Sequence, residues 1–286
     1  MLKLQTPVVD QQCRVGISYE DKIMMLGSCF SDNIGKQLKD FGFDVCVNPF
    51  GTLYNPVSIL RSVELLAGFR SFDADECIQI GAGDERWCSF SHHTSFARAT
   101  QEDFLADAQS ALSTARKHFK SCNKVIITLG TAWCFRHVTR GHIVSNCLKR
   151  PASEFVHERL SSTEVTSVLH RIAELCAGKE IIFTVSPIRH FKDGAHGNQI
   201  SKSALLLGVD DFIRTYDCAA DYFPAYEIMM DELRDYRFYA EDMCHPSQQA
   251  VDYIRERFLT WALPSSENAR LEENIRQFRH NSHISR

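Results

Sequence analysis

Short apolar runs alternate with amphipathic stretches along most of this 286-residue chain, and no other feature of the sequence constrains the fold as much. Runs typical of buried strands lie at 22–26, 43–47, 124–129 and 180–188, and a shorter one lies within 219–226. Hydrophobic residues at helical spacing occupy the stretches between them. Helices are therefore predicted at 34–41, 55–69, 102–119, 162–178, 201–216 and 246–263.

Strands that alternate with helices favour a parallel sheet covered by helices on both faces. Such sheets bind ligands at the carboxyl ends of their strands. The predicted fold class is therefore α/β, with a functional site at that edge of the sheet.

We expect one domain over residues 1–263, because a chain with 44% hydrophobic residues can bury a large core. Two segments interrupt the alternation and are interpreted as loop insertions able to wall a pocket. Residues 71–100 are rich in Gly, His and aromatic side chains, and residues 134–150 are typical of a hairpin. Residues 264–286 are predicted to form a polar C-terminal tail.

The composition argues against several classes of partner. The net charge is −4 and the pI is about 6.3, which predicts no nucleic-acid partner. No cluster of Lys and Arg indicates a membrane surface. No apolar run is long enough for a transmembrane helix, and the N-terminus lacks the features of a signal peptide. These observations predict a soluble protein with a cytoplasmic location.

The chain contains 11 cysteines, and none of them forms a CxxC pair. A zinc ribbon is therefore not predicted, and most of the cysteines are expected to be buried, reduced thiols. His92 and His93 are adjacent, which is a poor spacing for binding one metal ion. We predict neither a metal nor a cofactor.

A candidate nucleophile stands where the first strand meets the first helix. Ser28 follows Gly27 there, next to the free N–H groups of a helix N-terminus, which favour a developing oxyanion. A serine needs a base, and the segment "EDMCHPS" supplies Asp242 and His245. Pro246 suits the first position of a helix, so His245 is predicted to cap the final helix. Asp242 would hold one imidazole nitrogen while the other faces Ser28.

Two alternatives remain open at this junction. A serine between a strand and a helix is often a simple helix cap, so Ser28 has a structural interpretation as well. Cys29 is expected to pack in the core, because adjacent side chains on such a turn point in different directions. A Cys29 nucleophile is the alternative.

Several motifs resemble those of the GSCFA-domain family, over about residues 2–260. They are "GSCF" (27–30), "NPFGTLYNP" (48–56), "TLGTAW" (128–133), "NC" (146–147), "SPIRH" (186–190), "HGNQISK" (196–202) and "YFPAYEIMMDELRDYRFYAEDMCHPS" (222–247). The family is placed among the SGNH (GDSL-like) hydrolases. The resemblance implies a flavodoxin-like three-layer α/β/α sandwich with a parallel sheet.

Carried over residue by residue, the resemblance implies a triad. Ser28 matches the nucleophile, and Asp242 and His245 match the "DxxH" block. Gly51 matches the glycine whose backbone N–H joins that of Ser28 in the oxyanion hole.

The third family block departs from the SGNH pattern, because Ala132 stands where those enzymes have an asparagine. A replacement donor is expected from Thr131, Asn146 or Asn48. Asn48 ranks lowest because the proline after it indicates that its side chain braces its own turn.

These features predict a serine esterase or deacylase of SGNH type that removes a small acyl group from a hydroxyl. The alternatives are an acyltransferase with the same triad and a non-catalytic binding module. The expected partner is a small acylated substrate, with carbohydrate as one candidate, and the oligomeric state is left open. Five residues are candidates for substrate contact: His92, His93, Arg189, His190 and His196.

Overall fold

The structure is a computed structural model that describes residues 6–8, 12–217 and 219–284. Its strands are β1 (Lys22–Gly27), β2 (Asp44–Val47), β3 (Cys77–Gln79), β4 (Trp87–Ser89), β5 (Lys124–Leu129), β6 (Trp133–His137), β7 (Ile143–Val144), β8 (Phe155–Arg159), β9 (Glu180–Val185) and β10 (Ala220–Phe223). Its helices are α1 (Cys29–Asp40), α2 (Pro56–Leu66), α3 (Gln101–Ser121), α4 (Ser162–Leu175), α5 (Gly194–Thr215), α6 (Ala225–Glu227), α7 (Gln248–Ala262) and α8 (Asn268–Ile284).

Five of the strands form a parallel sheet in the order β2–β1–β5–β9–β10. This is the 2-1-3-4-5 order of flavodoxin-like folds, which open a crevice beside the first strand where the winding direction changes. Gly27 pairs with Thr128, and Thr128 pairs with Thr184, so β1, β5 and β9 end at one edge. The predicted α/β class and parallel sheet are confirmed.

Both faces of this sheet are buried, as the continuous apolar strands require. Along β1, Met24 and Leu26 pack with residues of α2, α3, α4 and α5 on one face. Ile23 and Met25 pack with residues of α1 and α7 on the other. The result is the three-layer α/β/α sandwich that the resemblance implied.

The two interruptions form small antiparallel sheets. Within residues 71–100, β3 pairs with β4. The hairpin expected in residues 134–150 is formed by β6 and β7, and β8 adds a third strand that the sequence analysis did not predict. This three-stranded sheet stands beside the carboxyl ends of the central strands and supplies residues to the cleft described below.

The last two helices differ from the sequence expectations in detail. Helix α7 is capped by Ser247, whose hydroxyl accepts a hydrogen bond from the N–H of Ala250. His245 is therefore not the cap, because α7 begins three residues after it and its Nδ1 atom contacts Asp242. The expected polar tail contains helix α8. Within the described part of the chain, no helix is both long and apolar enough to cross a membrane.

Candidate active site

The junction of β1 and α1 is built around Gly27. Its φ is +140°, and a Cβ atom there would lie 2.2 Å from the carbonyl oxygen of Thr128, so only glycine fits. The N–H of Gly27 donates to the Oδ1 atom of Asn48 at 2.8 Å, and the Nδ2 atom of Asn48 donates to Asp32. The side chain of Asn48 thus ties the turn after β2 to the junction of β1 and α1, whereas the sequence analysis expected it to brace its own turn.

Ser28 is the N-cap of α1 and has no exposed surface. Its Oγ atom accepts a hydrogen bond from the N–H of Phe30 at 3.3 Å. Among the described residues, its hydroxyl makes no hydrogen bond to His245. The structure thus gives Ser28 the helix-cap arrangement, and a buried capping hydroxyl is poorly placed to meet a substrate.

Cys29 is the first residue of α1 and, against expectation, does not belong to the fully buried core. Its side chain is partly exposed and lines a cleft of about 460 Å³. The reason is local geometry: an N-cap side chain folds back over its own helix, and the next side chain then points outward. Burial raises the pKa of the Cys29 thiol and Asp32 raises it further, while the N–H groups of Cys29 and Phe30 oppose the rise.

Asp242 and His245 form a pair on the loop before α7. The Oδ2 atom of Asp242 lies 2.5 Å from the Nδ1 atom of His245, which is the contact expected from the sequence. The Oδ1 atom of Asp242 accepts the N–H groups of Cys244 and His245 at 2.9 Å each. These N–H groups, together with the His245 ring, lower the pKa of Asp242 to about 2. The carboxylate is therefore ionised at neutral pH and fixes the orientation of the imidazole ring.

The cleft at the carboxyl edge of the sheet brings together residues from distant parts of the chain. Those from the sequence analysis that line it are Cys29, His93, Thr131, Asn146, His190 and His245. A larger groove of about 800 Å³ lies between α1, α7 and α8, but neither histidine nor cysteine lines it. A cysteine and a histidine therefore line the same cavity only in the first of these two.

The expected backbone donors of the oxyanion hole have other partners. The N–H of Ser28 donates to the carbonyl oxygen of Thr128 at 3.2 Å. The N–H of Gly51 donates to the carbonyl oxygen of Asn48 at 2.8 Å, and this hydrogen bond closes the turn after β2. Hydrogen bonds within the sheet and the turn occupy both groups, so neither is free for a substrate in this structure.

The two remaining side-chain candidates differ in their free donors. The hydroxyl of Thr131 lies 2.9 Å from that of Ser201 and accepts the N–H of Trp133. The Oδ1 atom of Asn146 accepts the N–H of Leu148 at 2.8 Å. In the described part of the structure, the Nδ2 atom of Asn146 has no hydrogen-bond partner. Of these two residues, Asn146 is therefore the one with a free side-chain donor.

Three of the five substrate-contact candidates do not line the cleft. His92 is 2% exposed, and its Nδ1 atom lies 2.7 Å from the hydroxyl of Ser89. Burial lowers its pKa to about 4, so it is a neutral core residue. His196 is exposed on α5, outside the cleft. The guanidinium of Arg189 donates to the carbonyl oxygen of Met243 and therefore contacts the loop of His245.

Comparison with known proteins identifies the family. The profile of the GSCFA family matches residues 22–258, which is most of the chain. The chain belongs to the GSCFA family. It matches no curated protein sequence. One similar solved structure is an acetyl xylan esterase from the rumen bacterium Butyrivibrio proteoclasticus, with a TM-score of 0.37 and 11% sequence identity. That match covers 86% of this chain and 65% of the esterase, so the chain spans about two thirds of that protein's length.

Helix α5 of this GSCFA protein supports the site from beneath, which the sequence analysis did not foresee. Ser201 bonds to Thr131 and also accepts the N–H of Ala132 at 2.7 Å. Asn198 accepts the N–H of His190 at 2.9 Å. Lys202, fully buried, donates to two backbone carbonyls. The available signal was the polar run "HGNQISK", which precedes the apolar stretch "ALLLGV" of the same helix.

Proposed function

We propose that this GSCFA protein removes a small acyl group from a hydroxyl by covalent catalysis, with Cys29 as nucleophile and His245 as base. One observation carries the proposal: Cys29 and His245 line one cleft, whereas Ser28 is buried. The position of the nucleophile at the end of the first strand, with the base on the loop before the last sheet-packed helix, supports an SGNH-type arrangement. Cys29 then takes the role that the sequence analysis gave to Ser28.

The reaction proceeds through an acyl-enzyme. The Nε2 atom of His245 accepts the proton of the Cys29 thiol, and the thiolate attacks the acyl carbon. The tetrahedral intermediate collapses, the ester C–O bond breaks, and His245 returns the proton to the leaving alcohol. His245 then takes a proton from water, which attacks the thioester and releases the acid and the free thiol. Asp242 holds the imidazole and stabilises its charged form.

The negative oxygen of the intermediate needs donors close to Cys29. The N–H of Cys29 lies in the first turn of α1, where helix N–H groups have no partner within the helix. Asn146, whose Nδ2 group is free, lines the same cleft. We assign these two groups to the oxyanion, and the partial positive charge of the helix N-terminus adds to them.

Two other functions remain as outcomes of the test. In an acyltransferase, an alcohol replaces water in the second half of the reaction, and the same residues act. In a binding module, neither Cys29 nor His245 takes part in chemistry. The original serine hypothesis requires Ser28 to leave its cap position and reach the cleft.

The test compares single variants in p-nitrophenyl acetate turnover. Cys29→Ala and His245→Gln should reduce the rate to near the uncatalysed background. Ser28→Ala should cost about 1 kcal/mol of stability through loss of the cap but retain most of the rate. Mass spectrometry of the wild type, quenched during turnover, should locate an acetyl group on the peptide that contains Cys29.

Each contrary outcome selects another function. Loss of activity in Ser28→Ala, with Cys29→Ala active, would restore the serine esterase. If the wild type turns over substrate no faster than Cys29→Ala and no acetylated peptide is found, the protein is a binding module. A product rate that rises on addition of an alcohol acceptor would identify the acyltransferase.

A further inference from the structure

Lys202 on α5 is a buried charge that the proposed reaction does not yet use. Its side chain is 1% exposed. The Nζ atom donates to the carbonyl oxygen of Gly130 at 2.7 Å and to that of Ser186 at 2.8 Å. These two residues directly follow β5 and β9, so the ammonium ties together two strand ends at the edge where the cleft opens.

No carboxylate neutralises this ammonium among the described residues. Its two acceptors are neutral carbonyl oxygens, and the ring of Tyr226 lies 5.5 Å away. Burial of an ammonium without an opposite charge costs several kcal/mol. Carbonyl oxygens satisfy its hydrogen bonds but leave its charge uncompensated, so an anion that forms nearby meets a positive charge already in place.

The residue that precedes the proposed nucleophile lies close to Gly130, whose carbonyl oxygen Lys202 binds. A Cβ atom on Gly130 would lie 3.5 Å from the Cβ atom of Ser28, the residue that precedes Cys29. The titratable and charged groups that interact with Lys202 or with Cys29 come from several elements. They are Asp32 on α1, Tyr54 after β2, His190 after β9 and Tyr226 after β10.

The pKa shifts of these groups agree with an attraction between Lys202 and Cys29. Burial lowers the pKa of Lys202 to about 7, and Cys29 opposes that shift. Lys202 in turn opposes the rise in the pKa of Cys29. Burial lowers the pKa of His190 to about 4, with further contributions from Lys202 and His245, so His190 is neutral at pH 7. With a pKa of about 7, Lys202 is partly protonated at neutral pH, and its ammonium favours a negative charge on Cys29.

We propose that the buried ammonium of Lys202 stabilises the negative charge that forms on Cys29. Lys202 is thus a positioning residue that acts through the nucleophile from below, while His245 acts from the cleft. The inference rests on the proposed function because that function requires a thiolate. Its test does not depend on turnover, because thiolate formation can be followed by alkylation.

The experiment measures the alkylation rate of Cys29 by iodoacetamide between pH 6 and 10, with each cysteine peptide resolved by mass spectrometry. Lys202→Met removes the charge and keeps the length of the side chain. We expect alkylation of Cys29 in this variant to be several-fold slower near pH 6–7, with the difference narrowing above pH 7 as Lys202 of the wild type loses its proton. Lys202→Arg keeps a charge and should stay closer to the wild type.

Lys124 offers a matched control. It lies at the opposite end of β5, is also nearly buried, and pairs with Glu180. Lys124→Met should therefore leave the Cys29 profile unchanged, although it also removes a buried ammonium. Lys202→Gln is a second neutral variant whose amide can still donate to a carbonyl, in case Lys202→Met does not fold.

The outcomes are distinct. An unchanged Cys29 profile in a folded neutral variant would overturn the inference. Unfolding of both neutral variants, with Lys202→Arg still folded, would also overturn it. The charge of Lys202 would then be needed for stability of the fold. The proposed function fails separately, if Cys29→Ala retains turnover of p-nitrophenyl acetate whatever the alkylation profile.

Discussion

Ser28 and Cys29 are neighbours in the chain but occupy opposite environments. Ser28 has no exposed surface and caps α1, while Cys29 lines the cleft. The difference follows from where the helix begins, because a shift of one residue exchanges the capping and outward-facing positions. Sequence patterns do not place a helix end to the exact residue. Sequence alone could therefore not decide which of the two side chains caps the helix and which faces outward.

Asn146 provides the first prediction at the scale of single residues. Removal of an oxyanion donor typically lowers kcat by about 10²- to 10³-fold. Asn146→Ala should therefore lower the kcat for p-nitrophenyl acetate by about that factor, because its Nδ2 group is the free side-chain donor of the two candidates that line the cleft. Thr131→Val should have a smaller effect, since the hydroxyl of Thr131 already bonds to Ser201.

The variant Asn146→Asp distinguishes loss of the amide donor from loss of the hydrogen bond that holds the turn at Leu148. Aspartate keeps the oxygen that accepts the N–H of Leu148 but loses the amide donor. Its stability in urea should stay near that of the wild type, while kcat falls as in Asn146→Ala. Equal kcat for the wild type and Asn146→Asp would contradict the assignment.

At the scale of elements, hydrophobic periodicity was the reliable guide. The continuous apolar runs predicted β1, β5 and β9 closely, because strands buried on both faces need apolar residues throughout. Strand β8, with the sequence "FVHER", was missed because its side chains are mostly exposed and give no apolar run. The contacts from α5 to the site were also missed, since they depend on how a helix packs beneath the sheet edge.

The loop that carries His245 is held by Arg189. The N–H of Arg189 donates to the carbonyl oxygen of Cys244 at 3.1 Å, and its guanidinium donates to that of Met243. The guanidinium carbon also lies 4.0 Å from the ring centre of Tyr239. Arg189 therefore orders the segment between Tyr239 and α7, and its contact with substrate stays a prediction.

The prediction for this loop concerns kcat rather than KM. Arg189→Met keeps the apolar stem but removes the guanidinium donor, so His245 should be held less accurately. We expect kcat for p-nitrophenyl acetate to fall by about 10- to 100-fold with little change in KM, because small displacements of a catalytic group are costly. Arg189→Lys, which keeps a cation and a donor, should recover part of the loss.

Arg237 is the matched control for Arg189. It is exposed, stacks on the ring of Phe238, and pairs with Asp235 rather than with the loop of His245. Arg237→Met should leave both kinetic constants near those of the wild type. A raised KM with unchanged kcat in Arg189→Met would instead favour the original hypothesis of substrate contact.

At the scale of the whole molecule, the cleft and the C-terminal helix lie at opposite ends of α1. Cys29 begins α1 at the cleft, and Phe41 follows its last residue, about 18 Å away for a helix of 12 residues. Helix α8 docks at that far end, where Asn274 donates to the carbonyl oxygen of Phe41 at 2.8 Å. The guanidinium of Arg270 lies 4.4 Å from the ring centre of Tyr19.

This geometry predicts that residues 265–286 can be removed without loss of the cleft. Leu271 and Ile275 pack against the core only partly buried, so we expect a loss of about 2 kcal/mol and a fall of about 4–8 °C in Tm. The alkylation rate of Cys29 at pH 7 should not change, because the sheet, α1 and the loop of His245 stay intact. Thermal unfolding followed by circular dichroism measures the Tm of the truncated chain, and peptide-resolved alkylation measures the reaction rate of its Cys29. A truncated chain that unfolds, or whose Cys29 reacts at a different rate, would mean that the domain extends beyond residue 263 and includes α8.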